Sequence, residues 1–379
     1  MNQREVAEIR RRFRAEKSNI RRVRGCYINR GGEIVSEFDQ PIGETNPEES
    51  EAILGVLRKA LSGGVGRNLL SLSFSTREVA EGAEHHTLNT LRKTQLADDE
   101  AIRTLYDRIR SAYRADGSYL ILLAAENYDV PSYSKNGEDE GSSQIYSYIL
   151  CSICPIKDIK KAPLSFLAHE SRFSAARGEP AVSSPAVGFL FPSFDDRAAN
   201  LYSALFYTRD IKDNHEDLTR SVFGVVPPMP PAATQKETFA HILAETVGDA
   251  CSYEVTRDMH DVLRTLVEEH KAANEREVLT VNATTVKEML VGSGVAEERA
   301  VAFERACEEA FGAGAELSPT NIADVKRMKL ESAGVDIRLA PEHEGRVETR
   351  IIEGIPYILI RAEAPVTVNG VEIAIAKEE

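Results

Sequence analysis

Tryptophan is absent from this 379-residue chain, aromatic residues make up only 7% of it, and its five cysteines (Cys26, Cys151, Cys154, Cys251, Cys307) are few, scattered and odd in number. Scarce aromatics argue against a surface built to stack single-stranded bases. Sparse cysteines exclude a small disulfide-stapled scaffold and fit a reducing compartment. No run approaches the ~18 to 20 apolar residues needed to cross a bilayer, and the charged first residues lack the apolar core of a secretory signal. A cytoplasmic protein with no membrane contact is the expectation. Nothing matches a cofactor fingerprint, so no cofactor and no metal are expected. What is present is a 42% hydrophobic chain, long enough for two or three domains.

The net charge of −14 is unevenly distributed. Residues 1–24 hold nine basic side chains (Arg4, Arg10, Arg11, Arg12, Arg14, Lys17, Arg21, Arg22, Arg24) against three acids, a net of +6 that leaves −20 for the remainder. An acidic body disfavours polyanion binding, whereas a basic cluster supplies the cations that displace counterions from phosphate. Val6, Ile9 and Phe13 fall on one helical face and leave most of the arginines on the others. A short basic amphipathic helix is therefore predicted, followed by a β-hairpin around Gly31-Gly32.

Asn46-Pro47-Glu48-Glu49 reads as a capped helix start and Ile53, Leu54, Leu57 and Leu61 as its buried stripe, giving a helix over about 47–61. A second helix spans about 98–114, ahead of apolar strands at Tyr119–Ala125 and Ile145–Ile153. The polar stretch Pro131–Ser143 between them reads as a long hairpin loop. Val187–Phe191 reads as a strand, and Ala198–Tyr207 as helical or turn-rich. Pro227-Pro228-Met229-Pro230-Pro231 marks a boundary, with a helix start after it at Thr234 and Glu237 in capping-box spacing. Further helices are expected at about 256–274, 284–291 and 296–311, and hairpin strands from Asp336 to the C-terminus. The expected class is α+β: an N-terminal α+β domain (1–226), a Pro-rich linker (227–233), and a C-terminal helical and β-hairpin domain (234–379).

Each candidate site has an ordinary structural reading beside the functional one. Gly63-Gly64-Val65-Gly66-Arg67 follows a helix and precedes a strand, the reverse of a phosphate loop, so helix termination and a turn are expected. Cys151-Ser152-Ile153-Cys154 has redox or zinc spacing, but no second pair completes a zinc site, and residues three apart on a strand face opposite sides. Glu84-His85-His86 and His169-Glu170 could ligate a metal or move protons, yet surface or capping roles suffice. Asp195-Asp196-Arg197 could hold a metal and a phosphate, or form a helix start with an internal ion pair. The arginine-rich start could be a solvated helix face or an anion contact.

The segments Glu8-Ile9-Arg10-Arg11-Arg12-Phe13, Arg24-Gly25-Cys26-Tyr27, Phe189–Arg197 and Val347-Glu348-Thr349-Arg350 resemble a bacterial family described only as a domain of unknown function, over nearly the whole chain. In the order of its parts the chain also resembles bacterial nucleoid-associated proteins. Ala115-Asp116-Gly117 before an apolar strand matches their N-terminal half, and Val286-Lys287-Glu288-Met289-Leu290, the helix to Phe311, Asp324–Leu330, Val335–Leu339 and the hairpin through Ile360 match their C-terminal half. The basic N-terminal helix, the polar loop near residue 138 and the Pro-rich linker have no counterpart there.

The expected function is noncatalytic binding of double-stranded DNA, or of an acidic or DNA-bound protein, with Arg10, Arg11, Arg12, Arg14, Arg21, Arg22 and Arg24 on phosphates and little sequence preference. The alternatives are a metal-dependent phosphoester hydrolase using Asp195 and Asp196 and a protein-interaction scaffold whose acidic body serves solubility.

Overall fold

A computed structural model describes residues 1–133, 139–158, 165–167, 172–174, 180–227, 229–273, 277–325, 327–332, 334–362 and 365–374. The chain divides into two compact units, Met1–Thr234 with Arg276–Val278, and Gln235–Glu275 with Leu279–Glu379. It is an α+β protein whose described strand pairs are antiparallel apart from one isolated parallel bridge, Val65 to Leu69.

In the first unit, α1 (Gln3–Arg12) opens with a reciprocal cap: the Asn2 side chain accepts from the Arg4 and Glu5 amides, and Glu5 accepts from the Asn2 amide at 2.7 Å. There follow β1 (Arg22–Ile28), β2 (Ile34–Pro41), α2 (Pro47–Arg58), a 3-10 turn to Leu61, β3 (Leu69–Ser73), α3 (Thr76–Glu81), α4 (Ala83–Lys93) and α5 (Asp99–Ala112). The long pair β4 (Tyr119–Tyr133) and β5 (Asp139–Asp158) comes next. Short strands β6 (Ser165–Leu167), β7 (Arg172–Ser174) and β8 (Pro180–Val182) lead to β9 (Val187–Phe191). The hairpin β10 (Ser193–Asp195) and β11 (Ala198–Asn200) precedes β12 (Ser203–Thr208) and α6 (Glu216–Phe223).

The main sheet runs β2-β1-β4-β5-β9-β12-β3, with β8 added to β5. Successive residues of each strand enter different cores because side chains alternate across the pleat. Ile121, Leu123, Ile149, Cys151, Phe189 and Phe206 pack with Leu88 and Leu91 of α4, Ile102 and Ile109 of α5 and Phe223 of α6. Leu122, Ala124, Tyr148, Leu150, Leu190 and Leu205 pack with Val6 and Ile9 of α1 and Leu54 and Leu57 of α2. Helices thus cover both faces of an antiparallel sheet, an arrangement more usual for parallel ones, and β9 and β12 are buried along their whole length.

Two-sided burial corrects the reading of Ala198–Tyr207 as helical or turn-rich. All six residues of β12 are buried, so the segment lacks the alternation that marks a one-sided strand. The expected loop Pro131–Ser143 is shorter than its polarity implied, since β4 runs to Tyr133 and β5 starts at Asp139; residues 134–138 lie outside the described residues. Gly63 and Gly66 do form a turn, at φ +97° and +76°, and a side chain at Gly63 would collide with Asn68 at 2.5 Å.

The second unit holds most of α7 (Ala232–Val247), then α8 (Tyr253–Ala273), α9 (Ala283–Gly292), α10 (Glu297–Phe311) and the short α11 (Pro319–Ile322). Because α7 begins at Ala232, Thr234 lies within its first turn and is not the cap expected from its spacing to Glu237. Phe239 and Phe303 meet edge to face at 5.5 Å, and Lys287 bonds Glu304 at 2.7 Å between α9 and α10. Three hairpins follow: β13 (Met328–Ser332) with β14 (Val335–Leu339), β15 (Val347–Ile352) with β16 (Ile355–Ile360), and β17 (Val366–Val368) with β18 (Val371–Ile373). A 3-10 turn, Pro341–Arg346, joins β14 to β15.

Candidate functional site

The apolar stripe of α1 decides where its arginines go. With Val6, Ile9 and Phe13 buried, Arg10, Arg11 and Arg14 are driven outward. These three line an open groove with Ala7, Glu16, Glu51 and Arg58. Arg58 lies 3.4 Å from Glu51, and Arg14, 53% exposed, lies 3.9 Å from Glu16. Among the described residues, neither Arg10 nor Arg11 has a carboxylate within ion-pair distance. A second open groove is lined by Asn19, Arg21, Arg22, Pro41, Gln95, Leu96, Ala125 and Asn127.

Arg12 and Arg24 are engaged within the fold instead. Arg12, only 16% exposed, donates to Glu126 Oε1 from Nε at 3.1 Å and from Nη2 at 2.7 Å, and its guanidinium lies 4.8 Å over the Tyr128 ring. Glu126 also accepts from the Asn19 amide at 2.9 Å and from the Tyr148 hydroxyl at 2.5 Å, which satisfies a fully buried carboxylate. Burial and the Glu126 charge push the Tyr148 phenol well above its ordinary range, keeping it a donor. Arg24 donates to the Leu96 carbonyl at 3.2 Å and to Asp99 at 2.7 Å. Arg22 sits 3.2 Å from Asp39.

Asp195, Asp196 and Arg197 occupy the β10–β11 turn and diverge. Asp195 accepts from Asn200 at 2.7 Å and pairs with the Met1 amino group. Asp196 and Arg197 both have positive φ, +48° and +60°, and Asp196 is exposed. Arg197 reaches Glu8 of α1 at 3.2 Å and the Pro131 carbonyl at 2.9 Å. Glu8 also accepts from Tyr128 at 2.9 Å. The turn therefore ties α1 to the sheet.

His85 is buried, edge-on to Phe74 and Phe191 with ring centroids 5.1 and 5.3 Å away, and its Nε2 meets the Leu201 carbonyl at 2.9 Å. Glu84 faces Arg108 at 3.4 Å. Cys151 and Cys154 lie in the cores on opposite faces of the sheet. Burial pushes the Cys154 thiol up to about 12 and the Cys151 thiol well above its usual value. His169 and Glu170 lie outside the described residues.

One cluster escaped sequence reading. In the second unit, one ligand atom each from His260, Asp261 and Glu344 lies within 4.8 Å of the others. His260 and Asp261 are consecutive on α8 and Glu344 belongs to the Pro341–Arg346 turn, so no local spacing announces the set. No curated protein matches the chain. The family described as "Domain of unknown function (DUF4317)" matches residues 1–371, and the chain belongs to that family.

Proposed function

We propose that this protein binds DNA, or a DNA-bound partner, without catalysis, in the manner of a nucleoid-associated protein, through the outward arginines of its N-terminal helix. One observation carries the reading: Arg10 and Arg11 of α1, Arg14 just beyond its end and Arg58 of α2 border one open groove on an otherwise acidic chain. Exposed guanidinium groups with open fork geometry suit phosphate oxygens, and backbone phosphates carry no base information. Arg21 and Arg22, on the neighbouring segment of the chain, extend the set. Arg12 and Arg24 serve the fold and are left out of the contact surface.

The test is a salt titration of binding to a labelled random-sequence duplex, with an Arg10→Ala, Arg11→Ala, Arg14→Ala triple variant in parallel. Affinity should fall steeply with salt, and the variant should lower the log–log slope by roughly 2 to 3, about 0.9 for each lost phosphate contact. Absence of binding by the parent protein at low salt refutes the reading. Unchanged affinity in the triple variant removes this groove from it.

A further inference from the structure

We propose that His260, Asp261 and Glu344 form a binding site for a divalent first-row transition metal ion, with zinc as the reference case. The imidazole of His260 is buried in the second unit, 7% exposed. Its Nε2 lies 2.5 Å from the Asp324 carbonyl oxygen. A carbonyl only accepts, so Nε2 carries the proton and Nδ1 of the neutral ring presents a lone pair. That Nδ1 is buried without a hydrogen-bond partner. It faces Glu344 Oε1 at 3.7 Å, and Oε2 of the same carboxylate, on a residue 2% exposed, is likewise buried and unpartnered.

His260 Nδ1 and Glu344 Oε2 are thus two buried acceptors on neighbouring side chains, beside Asp261, that no donor among the described residues satisfies. An unmet buried acceptor costs about 1–3 kcal/mol, more when charged, and a metal ion at this point answers both at once.

The surroundings match those of a metal centre. A ligating histidine ordinarily donates its other ring N–H to a carbonyl or carboxylate, which the Asp324 contact provides. Ligating carboxylates are themselves hydrogen-bonded, and Arg264 does this twice, donating from Nη1 to Glu344 Oε1 at 3.3 Å and from Nη2 to Asp261 Oδ1. These bonds engage Glu344 Oε1 and Asp261 Oδ1, and Glu344 Oε2 has no partner among the described residues. The Tyr253 hydroxyl, 2.7 Å from the Glu344 carbonyl, fixes the turn that carries Glu344. One nitrogen and two oxygen donors favour zinc and its neighbours over magnesium, which seeks six oxygens. Asp261 is only half-buried, which leaves a fourth position open to water.

The test uses the untagged full chain after chelator treatment, titrated calorimetrically with Zn²⁺ and followed with Co²⁺ by visible absorption. Expected are one Zn²⁺ per chain at micromolar or tighter affinity and a Co²⁺ spectrum of nitrogen and oxygen ligation. Glu344→Gln keeps the side-chain shape and should weaken binding at least tenfold, as should Asp261→Ala on the solvent side; circular dichroism verifies that each variant is folded. No saturable binding by the parent chain, or equal affinity in folded Glu344→Gln and Asp261→Ala, overturns the proposal.

Discussion

The two units treat apolar strand surface in opposite ways. In the first, the inner strands β9 and β12 of the main sheet are buried along their whole length. In the second, β15 and β16 carry Ile351, Ile355, Ile358 and Ile360 outward, with Ile351 77% exposed, and Val368 and Val371 of the last hairpin are exposed as well. Both regions have strong β propensity, since both are rich in Ile, Val, Leu and aromatics. Propensity and antiparallel pairing therefore suffice to form the hairpins, and packing is a separate matter: helices bury β9 and β12 completely, whereas in the second unit Met328, Leu339 and Val347 are buried with Tyr253 of α8 against them and β16 to β18 stay largely exposed.

The widest gap between the units should appear in core truncation. Phe206→Ala in β12 removes a fully buried ring that meets Phe223 at 6.4 Å, and should cost about 3–5 kcal/mol. Ile351→Thr on β15 should change stability by less than about 0.5 kcal/mol. Urea unfolding followed by far-ultraviolet circular dichroism measures both, and equal costs would erase the distinction.

A narrower contrast divides neighbouring arginines of α1. Arg12→Ala leaves Glu126 buried without its cation and should cost about 3 kcal/mol, whereas Arg10→Ala should cost less than about 0.5 kcal/mol. Denaturant midpoints of the two single variants give the comparison. A mild cost at Arg12 would mean that Asn19 and Tyr148 hold Glu126 adequately by themselves.

The smallest effect concerns thiols. Cys26, Cys151 and Cys154 of the first unit are buried, and burial lifts Cys26 to about 12. In the second unit Cys307 is buried and also pushed up to about 12, but Cys251 is partly exposed. An aromatic disulfide reagent at neutral pH should titrate one thiol per native chain, abolished by Cys251→Ser, and all five after denaturation.

Much of the scaffold was legible in the residues. The Val6–Ile9–Phe13 stripe, the Asn46-Pro47 start and the Gly-Gly turn before β3 are local signals, and the structure contains α1, α2 and that turn. The cysteine pair falls on opposite faces, as strand alternation requires. Less legible was whatever depends on tertiary covering. Strand β12 lost its alternation because helices bury both its faces, and the outer halves of β4 and β5 pair with each other and so keep strand geometry with a polar sequence. The division of the arginines is also nonlocal. Nothing near Arg12 reveals Glu126, 114 residues away, as its partner. The His260–Asp261–Glu344 cluster is legible only once the Pro341–Arg346 turn is set beside α8.

The sheet order also sets a timetable for synthesis. Strand β3, with Leu69, Leu70 and Leu72, is an edge whose sole ladder partner among the described residues is β12, and β12 begins about 130 residues later. At roughly 5–20 residues per second, β3 leaves the ribosome roughly 7 to 26 seconds before that partner exists. During that interval an apolar strand stands without its mate. A nascent chain halted just short of Ser203 is thus the species of this protein most in need of a chaperone's shelter.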